Sequence, residues 1–431
     1  MASEYALAYS APRDIDRSLL PVLAFVAFLL LIFVGLDAFS PPPVVQVGGV
    51  RAASHSDGMR QAAYLCAAAM IGIAALQRLG MAMFRSLPIG MGLLLAWCLA
   101  SALWSPEPHV VLRRAGLEVV LVVSLMLSVE TLGPVRAFTI WRWLLAAVLL
   151  VNFLSIPLIG SARHGAGEID PALVGNWRGL YGHKNIAGAV SAITALLFLF
   201  TPNGRRNWMG IAIALAACVF LAMTHSKSSA GFLVIALMVG LLYRIGWRDG
   251  LSRAVLVAGA AFLFVVLAVF VLLDAAAIAR MLENPTEFTG RAAIWAAELR
   301  YIADHPLLGS GFGTFTDTGS QSPLHNYVSG SWVDAVSHGH NGYLQLLVTI
   351  GGIGFALAML ALLAAPLRHF WPLDRGESGF KSLLFALFAF AVLHNFMESD
   401  FLEGDGVTWA SLLLVIAALN ASARRHSLTS R

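Results

Sequence analysis

"RGLYGHKNIAGAVSAITALLFLF", residues 178–200, sets Arg178, His183 and Lys184 directly before an almost purely hydrocarbon run from Ile186 to Phe200. Such a run reads as a helix that enters an apolar medium from a polar edge. The rest of the chain repeats the pattern. Hydrophobic residues make up 58% of the 431 and charged residues only 12%, about half of the roughly 25% that a soluble domain carries. Mean hydropathy is +0.77. Twelve apolar stretches approach the length needed to cross a bilayer: about 18–38, 61–77, 87–104, 115–132, 137–158, 186–201, 208–223, 228–243, 254–273, 341–364, 382–397 and 407–421. The fold class expected is therefore an all-α polytopic membrane protein with about 12 transmembrane helices. The first stretch reads as a retained span, because it is long and leads into "SPPPVVQ" without a small-residue cleavage pattern.

Charge orients the chain. With the N-terminus in the cytoplasm, inner loops hold sixteen of the 28 basic residues and outer loops eleven, three of them in one long loop that counts little. Arg142 lies near enough to an inner helix end to snorkel. The expectation is a multi-pass protein of the bacterial inner membrane with both termini cytoplasmic. Cys66, Cys98 and Cys218 all lie in apolar runs, where cysteine behaves as a small hydrophobe, so neither a disulfide framework nor a thiolate metal site is inferred.

The chain reads as one integral membrane domain, 1–431, without internal repeats. Two outer segments are long, about 159–185 and about 274–340. The second is a periplasmic loop with a helix of its own: in "TGRAAIWAAELRYIADHP", Thr289 offers an N-cap, Ala292, Trp295, Leu299 and Ile302 share a face, and Pro306 closes it. The following "GSGFG" lacks the strand that precedes a dinucleotide loop, so it reads as backbone turns.

Three runs, starting near 186, 228 and 341, point their N-termini at the outer face. Each follows a polar cluster: "RGLYGHKN", "THSKSSAG" and "SHGHNGYL". A helix N-terminus carries unpaired N–H groups and positive dipole charge, so Arg178, Lys184 and Lys227 stacked there are unfavourable unless an anion is held. Any one of them alone is more often an interfacial anchor, but such anchors favour the cytoplasmic side. The set reads as a phosphate site, with Arg291 as a forked lid. His340, at a dipole-positive end, should stay neutral and serve as general base. The competing reading of the same turn is a helix cap shared with Asn341. "HGH" at 338–340 does not put two ligands on one helical face, so no metal is inferred. The carboxylates of "HNFMESDFLEGDG", residues 394–406, read mostly as a solvated acidic rim, one of which could pair with an arginine or orient an acceptor sugar.

"RGLYGHKN", "HSKSS", "GRAAIW", "HPLLGSGFGTF" and "HNGYLQLLVTIGGIG", in that order between about 175 and 365, resemble the signatures of the O-antigen ligase and polymerase family of bacterial membrane glycosyltransferases, and most resemble its exopolysaccharide polymerases. The resemblance implies a helical, glycosyltransferase-C-like, metal-independent enzyme without cofactor. It would transfer a glycan from undecaprenyl diphosphate to a hydroxyl of another lipid-linked repeat at the periplasmic face. By the same resemblance Lys227 and Arg291 engage the diphosphate and His340 serves the acceptor hydroxyl, while Arg178, His183, Lys184 and Asn341 contribute to substrate binding. Where the ligases more often carry arginine, Lys227 keeps the charge without the bidentate fork. The implied partners are the two lipid-linked glycans, membrane lipid, and a chain-length regulator with an export complex; nucleic acid is not among them. Two other functions compete: ligation to lipid A–core, and transport of lipid-linked oligosaccharide. A carrier needs ionisable groups near the midplane, and here Glu118 and Arg142 are the clearest inside the spans.

Overall fold

The computed structural model describes residues 19–40, 55–200 except 167, 169 and 170, 208–259 except 248, residue 262, 291–328 except 317, 319 and 320, 339–372 and 378–429. Its long helices are α1 (Leu20–Phe33), α2 (His55–Leu79), α3 (Ile89–Ala100), α4 (Pro108–Leu132), α5 (Pro134–Leu158), α6 (Lys184–Leu199), α7 (Trp208–Thr224), α8 (Lys227–Gly246), α9 (Gly250–Gly259), α10 (Arg291–Asp304), α11 (Gly342–Phe370), α12 (Ser378–His394) and α13 (Val407–Thr429). Among the described residues there is no named strand, only the isolated bridge Arg163–Trp177. Five stretches are long and apolar enough to cross a membrane: Gly58–Arg85, Pro134–Leu158, Lys227–Gly246, Gly342–Phe370 and Val407–Arg425. Several other apolar helices are shorter. Most of the expected span 254–273, and the loop from 274 to 290, lie outside the described residues.

Two helices form the centre. In α6 every residue from Ala187 to Phe198 is buried, and α13 is buried without interruption from Val407 to Leu419. Small residues let their neighbours close in: Ala187, Gly188, Ala189, Ser191 and Ala192 in α6, and Ala410, Ser411, Ala417 and Ala418 in α13. α7 and α8 pack on α6, α12 on α8, and α4 on α13. Within this packing the two expected intramembrane charges have defined partners. Glu118 of α4 is fully buried and accepts a 2.5 Å hydrogen bond from Trp409 Nε1 of α13. Arg142 of α5 lies 4.1 Å over the Phe198 ring, a cation–π contact.

The glycine-rich loop after α10 docks on a kink in α11. Ser310 N–H donates to Val348 O (2.9 Å), Gly311 N–H to Thr349 O (2.8 Å) and Gly352 N–H to Pro306 O (2.9 Å). Gly309 and Gly351 both hold φ of +67°, where a side chain is strained. A Cβ on Gly351 would also run into the Leu307 carbonyl. The "GSGFG" and "GG" signatures are thus the two halves of one backbone contact. Gly351→Ala is expected to cost about 2–3 kcal/mol and to lower the thermal midpoint of detergent-solubilised protein; an unchanged midpoint would mean that the kink relaxes freely.

Candidate functional site

Glu398, in the turn between α12 and α13, is the hub of the site. Its Oε1 accepts from Asn185 Nδ2 at 2.7 Å and from Arg291 at 2.9 Å, and its Oε2 lies 3.0 Å from His340 Nδ1. Arg291 also donates to the Met397 carbonyl. Four separate stretches therefore meet on one carboxylate: the first turns of α6 and α10, the residue two before α11, and the turn after α12. Glu398 is 7% exposed. Burial opposes its charge, yet the hydrogen bond and charge of His340, with Arg291 and His394, hold its carboxyl down at about 2, from an ordinary 4.5. The sign follows: this stabilisation is complete above about pH 4.5 and drains away as pH falls toward 2. Acid unfolding of the wild type should accordingly steepen across that window, and Glu398→Gln should flatten it.

One carboxylate of the acidic run was expected to pair with an arginine, and Glu398 does so with Arg291; Glu403 is exposed, but the rest of the run is less of a solvated rim than expected. Besides Glu398, Asp400 bonds His394 Nδ1 at 2.6 Å, and Tyr64 donates to Asp405 at 3.1 Å. His394 Nε2 in turn lies 3.1 Å from Ser229 Oγ, and Ser226 Oγ donates to Ser229 Oγ at 3.0 Å. This buried Asp–His–Ser–Ser relay ties the start of α8 to the same turn that carries Glu398.

His340 has φ of +55°, left-handed for a non-glycine residue. The loop before it is pinned to α10, whose Trp295 Nε1 donates to Gly339 O at 2.8 Å. With Nδ1–H donating to Glu398, the lone pair of the neutral ring lies on Nε2. Asn341 is the cap of α11: its Oδ1 accepts from the N–H groups of Tyr343 (3.0 Å) and Leu344 (3.1 Å). The structure therefore gives it the capping role, next to a histidine that turns toward Glu398.

Lys184 and Lys227 open α6 and α8 as their first residues. The N–H groups of α6 are not waiting for an anion, however. Lys184 N–H donates to His164 Nε2 (3.1 Å) and Asn185 N–H to His183 Nδ1 (3.2 Å). His183 is thus an N-cap; burial, then the neighbouring His164, push its imidazole down to about 4, so it is neutral at physiological pH. Of the three stations only α8 lacks a side-chain cap, since Ser226 makes none. Lys227 is exposed at that uncapped end, two residues before the Ser229 that bonds His394.

Arg178 departs most from its expected place at the diphosphate. It is 1% exposed and all its recorded bonds go to backbone carbonyls: Ser161 (2.7 Å), Tyr181 (3.3 Å), Gly182 (3.1 Å) and Ser40 (3.1 Å). A planar five-donor fork suits four converging carbonyls as well as a phosphate, and here it clamps the loop before α6. His164, bonded to Glu168 at 2.7 Å, had no distinguishing signal in the sequence. His338 and Thr289 lie outside the described residues, and among the described residues no group of three or more His, Cys, Asp and Glu could hold a metal ion.

α10 is rotated from its expected face. Ala292 is buried as foreseen, but Ile294, Ala297, Glu298 and Tyr301 go inside with it, while Leu299 is 47% exposed. Glu298 is 0% exposed and neither carboxyl oxygen has a hydrogen-bond partner among the described residues. It crowds Gly339, where any Cβ would collide with it, and burial raises its carboxyl to about 8. A raised acid costs stability progressively from the ordinary carboxylate range up to its folded value. Glu298→Gln should therefore raise the thermal midpoint at pH 8 and have a smaller effect near pH 5. Equal effects at both pH values would show the carboxyl to be ionised throughout.

Residues 211–359, about a third of the chain, match the family described as O-antigen ligase. Lys227, Arg291, His340 and Asn341 fall inside that segment, while Arg178, His183, Lys184, Asn185 and Glu398 fall outside it. No curated protein matches the chain.

Proposed function

We propose that this chain, a member of the O-antigen ligase and polymerase family through residues 211–359, is a polysaccharide polymerase. It transfers a glycan from undecaprenyl diphosphate to a hydroxyl of another lipid-linked repeat. The reading carries with it twelve spans in the bacterial inner membrane, cytoplasmic termini and a periplasmic site. One observation supports it above the others: the same carboxylate holds Arg291 and the Nδ1 side of His340.

The chemistry follows from that arrangement. The acceptor hydroxyl gives its proton to His340 Nε2 as its oxygen forms a bond to the anomeric carbon. The bond from that carbon to the diphosphate breaks, and the diphosphate leaves with the electron pair. Glu398 fixes the imidazole tautomer and stabilises the imidazolium that forms. Arg291, Lys184 and the uncapped, dipole-positive start of α8 with Lys227 stabilise the charge that develops on the leaving group. Arg178, His183 and Asn341 position backbone. No metal has a part in these steps.

The family description itself favours a second reading, ligation of the glycan to lipid A–core. Purified protein incubated with a defined undecaprenyl-diphosphate repeat and chelator separates the two. A ladder of lipid-linked products supports the polymerase. Transfer that occurs only when a lipid A–core acceptor is added supports the ligase. No transfer to either acceptor, with or without chelator, would refute both.

A further inference from the structure

A cavity of about 490 Å³ lies between the start of α3, the last third of α11 and the middle of α13, within the roughly 300–1,000 Å³ of small-molecule sites. It is remote from the hub. Asn341, the cap beside His340, and Ala361, in the cavity wall, stand twenty residues apart along α11. That is about 30 Å at the helical rise, roughly the hydrocarbon thickness of a bilayer. The cavity therefore lies toward the membrane face opposite Glu398. Met359–Ala364 of α11 winds there as a π-turn, a rare form that recurs at functional sites. Gly90, Ala361, Ala364 and Ala365 line the gap without filling it.

Its chemistry is one-sided. The lining is apolar apart from Arg368 and Asn420, and it holds no carboxylate. Arg368 is exposed, and among the described residues it makes one hydrogen bond, from Nε to the Ala365 carbonyl at 3.2 Å. The four N–H donors of its two terminal nitrogens remain. Arg424, one turn beyond Asn420, is by contrast committed to Glu130. Ile89, Gly90 and Met91 of the wall form the first turn of α3, which no side chain caps, so its N–H groups add to the positive end. An apolar slot closed by a cation suits a hydrocarbon chain that ends in an anion. A zwitterionic headgroup would bring an ammonium for which this wall has no carboxylate.

We infer that this cavity binds one anionic glycerophospholipid, from the inner leaflet on the orientation proposed above. An acyl chain lies between α3, the π-turn and α13, and the phosphate sits on Arg368. Bound there, the lipid braces α3 against α11, the helix whose other end carries the kink at Gly351 and the cap Asn341.

The test uses the purified full chain, stripped of lipid in detergent and titrated with dioleoylphosphatidylglycerol or dioleoylphosphatidylethanolamine under native mass spectrometry. The first phosphatidylglycerol should bind about fivefold more tightly than phosphatidylethanolamine, the worth of one basic side chain near a lipid surface. Arg368→Gln should abolish that preference and Arg368→Lys should keep most of it. Both change an exposed side chain, so without lipid both should keep the wild-type thermal midpoint, which separates lost binding from lost folding. Ala364→Trp, at an exposed position of the wall, should fill the slot and weaken first-site binding of both lipids. Equal binding of the two lipids by the wild type, an undiminished preference in Arg368→Gln, or unchanged first-site binding in Ala364→Trp would overturn the inference. None of these readouts involves glycan transfer, so the glycosyl-transfer reading is unaffected by either result.

Discussion

His340→Ala is expected to lower glycan transfer by about 10²–10⁴-fold, the range lost with a general base, while the protein remains inserted and abundant. In cells, long-chain polysaccharide should disappear and lipid-linked single repeats should accumulate on the outer leaflet. The loss should fall on kcat rather than KM, because the proton moves only as the new bond forms. Accumulation on the cytoplasmic leaflet would instead indicate a defect in translocation and would refute the enzyme reading. His340→Gln makes the control sharper: it keeps a donor for Glu398 but cannot accept a proton, so it should be as inactive as the alanine variant and closer to the wild type in stability.

The second large effect belongs to Glu398→Gln. This substitution keeps shape and removes the charge shared by Arg291 and His340. Breaking a buried ion pair by neutralising one partner costs about 3–5 kcal/mol, so the thermal midpoint should fall. Turnover should drop at least 10²-fold as the imidazole loses the partner that fixes its tautomer. A merely structural role predicts a different pattern, in which the soluble, folded fraction shrinks but its specific activity is unchanged. Measuring activity per folded molecule, in detergent with lipid added, distinguishes the two. Near-normal activity in the folded fraction would remove Glu398 from the reaction.

Much of this site could be read from the chain because charge placed beside hydrocarbon is conspicuous. Lys184 and Lys227 stand where greasy helices start, and the structure makes them the first residues of α6 and α8. The carboxylate that gathers Asn185, Arg291 and His340 was not legible. Glu398 sits among Asp400, Glu403 and Asp405, a composition shared with any solvated loop, and only the return of α12 beside α11 separates it from its neighbours. Arg178 misled for the opposite reason. It stands in a glycine-rich cluster like a phosphate ligand, but carbonyls as far away in the chain as Ser40 claim it. Glu298 breaks the apolar period of α10 and still goes inside. Periodicity assigns a carboxyl to water, and nothing in the local pattern shows that the space beside it is kept free by a glycine forty-one positions later.

The order of synthesis gives the hub carboxylate a further meaning. A ribosome delivers Lys184, Lys227, Arg291 and His340 before it delivers Glu398. Until α12 has been threaded and turned back, Asn185, Arg291 and His340 lack the carboxylate that joins them. Assembly of this cluster therefore waits on the segment that follows α12.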